Sequence, residues 1–106
     1  MISYAVDKQR WWKMSIFEQM GNIGAEVGRA MAAKRRGDKN SMQNAFYRGL
    51  DLLDATASVW AAKKSHRTKE ILRAREQFAE AIMSESYDNK LESYFMQFAI
   101  VARQFK

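Results

Sequence analysis

The chain predicts an all-α fold: an antiparallel up-down four-helix bundle with an N-terminal arm. Three observations lead there. No proline occurs in 106 residues, while Ala, Met, Leu, Lys, Arg, Glu and Gln, the residues that lose least on entering a helix, are abundant. Apolar residues recur at alternating steps of three and four in four separate stretches, the pattern of a helix with one buried face. The links between those stretches are short, and a few residues cannot carry a chain back along a helix, so successive helices must neighbour one another antiparallel. The hydrophobic fraction of 47 % and charged fraction of 28 % suit one small packed domain.

Residues 1–14 form the predicted arm. Ile2, Tyr4 and Val6 alternate as a strand would, but a lone strand has no partner here, so an extended segment carrying Trp11 and Trp12 is expected to pack on the bundle or on another subunit. The bundle, residues 15–106, opens at Ser15. The run Ser15-Ile16-Phe17-Glu18 has the form of a capping box. Ile16, Met20, Ile23, Val27, Ala30 and Lys34 follow on one stripe, and Gly37-Asp38 stops the helix. A second helix is predicted from Asn40 or Ser41 to Lys63 or Lys64, burying Met42, Phe46, Leu53, Ala57 and Trp60. The third begins at Ser65 or Thr68, with Ile71, Leu72, Phe78, Ile82 and Met83 inward and Arg75 interrupting the stripe. The fourth is capped by Asp88 and carries Leu91, Tyr94, Phe95, Phe98, Val101 and Phe105, the most aromatic face of the chain.

Gly21, Gly24 and Gly28, with Ala25 and Ala32, line one side of the first predicted helix. Each interior glycine costs up to about 1 kcal/mol against alanine, so a close backbone approach should offset them. Packing within the chain and contact with a second subunit both satisfy that need. The seam lacks the spacing and the preceding strand of a dinucleotide fingerprint.

Catalytic candidates are few. With one His and no Cys, neither a nucleophile-base pair nor a His-rich or thiolate metal site can be assembled in one chain. Glu18, Glu26, Asp51, Asp54, Glu76 and Glu80 lie on helices that a bundle brings together, but the Glu-x-x-His motif that di-iron sites use is absent. No catalytic residue, metal or cofactor is therefore assigned, and no small-molecule substrate is evident. Uncharged stretches such as Ala55 to Ala62 are far too short to span a bilayer, and no secretory signal is read at the N-terminus, so a cytoplasmic protein is expected.

Charge is the more informative signal. There are 18 Lys and Arg against 12 Asp and Glu, a net +6. In the predicted topology the start of the first helix, the link between the second and third, and the end of the fourth share one pole. That pole collects Lys8, Arg10, Lys13, Lys63, Lys64, His66, Arg67, Lys69, Arg103 and Lys106, opposed mainly by Asp7, Glu18 and Glu70. Such a cluster attracts phosphate backbones by counterion release, and Trp11, Trp12 and His66 are placed to stack on unpaired bases. Lys and Arg at helix C-termini also offset the helix dipole without any ligand.

The run from Trp12 to Ala30, together with Ala45-Phe46-Tyr47-Arg48-Gly49-Leu50-Asp51-Leu52-Leu53-Asp54, resembles a group of small prokaryotic all-helical proteins without an assigned activity. The resemblance spans Trp12 to roughly Arg103, implies a compact all-helical domain and carries over no functional residue. In size, basicity and layout the chain is also similar to the basic bundle accessory proteins of retroelement reverse transcriptases.

Two roles follow as expectations. One is a non-enzymatic protein-interaction or self-association module, a homo-oligomer or a docking partner, whose contacts are Trp11, Trp12, Gly21, Gly24 and Gly28. The other is binding of RNA or single-stranded DNA through the basic pole.

Overall fold

The computed structural model describes residues 8–85 and 89–104. Five α-helices lie among them: α1 (Lys8–Trp12), α2 (Ile16–Arg35), α3 (Lys39–Ala62), α4 (Arg67–Met83) and α5 (Lys90–Gln104). The last four are the helices the periodicity predicts. α1 corrects the expectation of an extended arm: its second half is helical because Trp11 is anchored in the core, while Ile2, Tyr4 and Val6 lie outside the described residues, as do Asp88 and Phe105.

The helix ends follow from local chemistry. Ser15 Oγ accepts from the Glu18 amide at 3.1 Å and Ser15 N donates to Glu18 Oε1 at 3.2 Å, completing the capping box. α2 closes at Gly37, whose φ of +74° is the left-handed conformation glycine adopts without penalty. Asp38 then caps α3 by accepting from Ser41 N at 3.1 Å, so that helix starts at Lys39, slightly earlier than predicted. This bond to Ser41, helped by Arg36, holds the Asp38 carboxyl below the usual carboxylate range. A carboxyl lowered in the folded state favours folding above its unfolded pKa, and that contribution disappears as pH falls through the folded value.

α2 is the hub. One side packs along α3 and another along α5, while α4 leans on α3 and touches α5 only thinly. Contacts between neighbours run in reversed order. Gln19 meets Trp60 and Glu26 meets Arg48 between α2 and α3; Gly21 lies against Ala99 and Gly24 against Phe95 between α2 and α5. Across α3 and α4, Arg75 reaches Asp54 while Phe46 meets Phe78 edge-on, ring centroids 5.0 Å apart. The core between them is Met20, Ile23, Val27, Met31, Leu53, Ile71, Phe78 and Phe95, all essentially inaccessible.

Several predicted faces are redrawn. On α3 the buried set is Ala45, Gly49, Leu52, Leu53, Ala55, Thr56, Ala57 and Val59, because α2, α4 and α1 press on it from different sides. On α4 only Ile71, Ala74 and Phe78 are buried, and Leu72 and Met83 face solvent. Lys34 sits on the apolar stripe of α2 by spacing, yet its ammonium leaves the core and donates to Ala81 O at 2.6 Å and to Ser84 O, carbonyls at the end of α4. A cation there satisfies acceptors that the helix cannot.

The glycines at positions 21 and 24 explain how α5 reaches α2. A Cβ at Gly24 would stand 2.7 Å from Phe95 Cβ, and one at Gly21 would stand 3.2 Å from Ala99 Cα. Gly49 has the same role toward α4, since a Cβ there would stand 2.6 Å from the Phe78 ring.

Candidate functional site

The opening turns of α2 are the common neighbour of the basic residues singled out in the sequence. Gln19 accepts from Trp60 Nε1 at 2.7 Å, and Lys63 Nζ lies 4.5 Å from the centre of the Trp60 ring. Phe17 packs on Phe98 of α5, and the Arg67 guanidinium lies 5.7 Å from the Phe17 ring. Arg103 lines a shallow cleft with Glu18, Gly21, Asn22 and Ala99. Lys13 stands two residues before the Ser15 cap. Lys13, Lys63, Arg67 and Arg103 are therefore gathered around one end of α2 by the end of α3, the start of α4 and the end of α5.

The remaining members lie on the connections. Lys64 takes the left-handed conformation, φ +54°, after α3, and its amide donates to Ala61 O while Ser65 N donates to Trp60 O. His66 is exposed at the cap position of α4 without a capping bond; Ser65 Oγ instead accepts from Arg67 N at 3.1 Å. Lys69 is exposed on the first turn of α4. Lys8 and Arg10 belong to α1, which rests on α3. Lys106 lies outside the described residues.

The ion pairs of the described residues involve five arginines. Arg29 and Arg48 both bind Glu26, at 2.5 and 2.6 Å; Arg35 pairs with Glu92, Arg36 with Asp38 at 3.6 Å, and Arg75 with Asp54 at 2.7 Å. Among the described residues, none of these ion pairs includes Lys13, Lys63, Lys64, Arg67, Lys69 or Arg103. The nearby acids are engaged otherwise: Glu18 closes the capping box, and Glu70 accepts from the Tyr94 hydroxyl at 2.8 Å. Partial burial, then this bond and the charge of Glu70, push the Tyr94 hydroxyl upward from its ordinary pKa, so it remains a donor.

The residues assigned to a protein contact separate into used and open positions. Trp11 is buried, its Nε1 donating to Thr56 Oγ1 at 2.7 Å and its carbonyl accepting from Gln19 Nε2 at 2.9 Å. Gly21 and Gly24 are occupied by α5. As a surface for another subunit, Trp11, Gly21 and Gly24 are thus corrected: within one chain they are already covered. Trp12 remains 53 % exposed, and Gly28 faces open space.

Sequence reading missed three polar groups of the interior. Gln19, fully buried, joins Trp11 to Trp60, and the Thr56 hydroxyl, equally buried, accepts from Trp11 Nε1 and donates to Leu52 O at 2.8 Å. The signal was present, since Gln19 stands three residues after Ile16 and four before Ile23. Glu26, with 7 % of its side chain accessible, is the third, held between Arg29 and Arg48. No group of three or more His, Asp or Glu placed to hold a metal ion occurs among the described residues. No described helix is long and apolar enough to cross a membrane. No protein-family model, curated protein or solved structure matches this chain.

Proposed function

We propose that this chain binds nucleic acid, RNA or single-stranded DNA, by contacting phosphates with the basic pole. The scaffold of that reading is an antiparallel up-down four-helix bundle of α2 to α5, with α1 folded onto α3. The observation that carries it is the gathering of cations around one end of α2: Arg29, Arg35, Arg36, Arg48 and Arg75 are held by carboxylates, whereas Lys13, Lys63, Lys64, Arg67, Lys69 and Arg103 form no ion pair among the described residues. Lysines and arginines without a carboxylate partner can neutralise phosphates and so release the counterions condensed on a nucleic acid. The role is one of binding rather than catalysis, and it belongs to the cytoplasm.

The test is fluorescence anisotropy with a labelled RNA oligonucleotide over a salt series. Affinity is expected to fall as salt rises. The variant Lys63→Glu/Lys64→Glu/Arg67→Glu should bind at least about tenfold more weakly and show a shallower salt dependence. Tight binding by that variant, or none by the parent chain at low salt, removes the proposal.

A second reading is supported by α5. Met96 and Ile100, one helical turn apart, are both about half exposed, at 54 % and 47 %. A protein contact there, including one with a second copy, would cover them. Light scattering on Met96→Glu/Ile100→Glu is the suitable check, because deletion of residues 1–13 would remove the buried Trp11 and disturb the core as well as any interface.

A further inference from the structure

Trp11 and Trp12 are adjacent in sequence and opposite in environment. Trp11 is fixed at three points: the ring is buried, Nε1 donates to Thr56 Oγ1, and the carbonyl accepts from Gln19 Nε2. Successive residues of a helix are turned by about 100°, so fixing Trp11 sets the direction in which its neighbour projects. Trp12 accordingly stands out from the surface with 53 % of its area accessible. Next to it in the chain is the exposed Lys13, one of the cations that no described acid pairs with.

We infer that Trp12 is a base-stacking platform, pre-oriented by the anchoring of Trp11, and that the pole therefore prefers single-stranded nucleic acid to a duplex. The inference rests on the phosphate-binding reading above and adds to it the class of strand. An indole face accepts any unpaired base but cannot reach one inside a stacked duplex. Charge complementarity selects this occupant over an apolar partner, because a strand stacked on Trp12 carries its phosphates past Lys13 toward the cations around the start of α2. Trp11 contributes as a positioning residue: burial removes its own ring from contact with a ligand and holds α1 in place.

The experiment uses the full chain, a labelled oligouridylate, an RNA duplex of equal length, and heparin as a polyanion without bases. The single strand is expected to bind more tightly than the duplex. Trp12→Ala should weaken oligouridylate binding by about fivefold or more and leave heparin binding unchanged, while Trp12→Phe recovers most of the loss. Because Trp12 is exposed, the thermal midpoints of these variants should match that of the parent chain. Equal oligouridylate affinity in Trp12→Ala and the parent overturns the stacking assignment and leaves phosphate binding intact. Failure of the parent chain to bind either oligouridylate or heparin overturns both. Dissociation of a dimer in Trp12→Ala with oligouridylate affinity retained also overturns the assignment, in favour of a second copy as the occupant.

Discussion

Gln19 shows how much one buried polar residue can organise. Its amide nitrogen donates to the Trp11 carbonyl and its amide oxygen accepts from Trp60, so a single side chain ties α1, α2 and α3 together. Buried amides are tolerated only when paired, and removing one partner leaves the others unsatisfied at about 1 to 3 kcal/mol each. Gln19→Leu keeps the volume but strips both bonds, and should lower the unfolding free energy by about 2 kcal/mol or more. Urea denaturation followed by tryptophan fluorescence reads this directly. An unchanged midpoint would mean that the Trp11 carbonyl and the Trp60 indole find water instead. Spacing could place Gln19 on the inward face, but no rule of sequence identifies partners as far away as Trp60.

At the scale of the element, the glycine seam resolves into positions with opposite requirements. Gly24 is where the backbone of α2 meets Phe95 at its Cβ, an atom that cannot swing aside as the tip of a long side chain can. Gly24→Ala should therefore push α5 away and destabilise the fold by about 1 to 3 kcal/mol. Gly28 is on the same side of the same helix and meets nothing within 4 Å. Gly28→Ala should stabilise by up to about 1 kcal/mol, through helix propensity alone. Thermal unfolding of the two variants separates them by sign; a matching loss in both would show that something covers Gly28 in solution. The sequence identified the seam and the need for a close approach. It left open which helix approaches and how far along it does so, because that depends on the rotation and offset of α5.

For the whole molecule, the arrangement is uneven. α2 is covered by α3 and α5, whereas α5 buries only Leu91 and Phe95 fully and meets α4 thinly. Opening free energies follow such differences in burial. Native-state hydrogen exchange should find the slowest amides in the middle of α2 and α3, with α5 released in a smaller opening. Equal protection of α5 and α2 would indicate a fully cooperative bundle in which the seam alone suffices to hold α5. Charge is uneven on the same scale. Around the start of α2, Lys13, Lys63, Lys64, Arg67, Lys69 and Arg103 form no ion pair among the described residues, while Arg35 and Arg36 at the other end of α2 are each paired.

The amino-acid sequence by itself determined that the chain is helical, where α2 begins and ends, and that Lys13, Lys63, Arg67 and Arg103 belong near one another. Those properties depend on local propensity, capping and short connections, which act over a few residues and are written in their order. Only the tertiary structure decided that Trp11 is core while Trp12 is surface, that Glu26 and Gln19 are interior, and which cations remain without a carboxylate. Each of those outcomes depends on what a neighbouring helix places opposite the side chain, and that is a matter of rotation and distance between helices that no single stretch of sequence encodes.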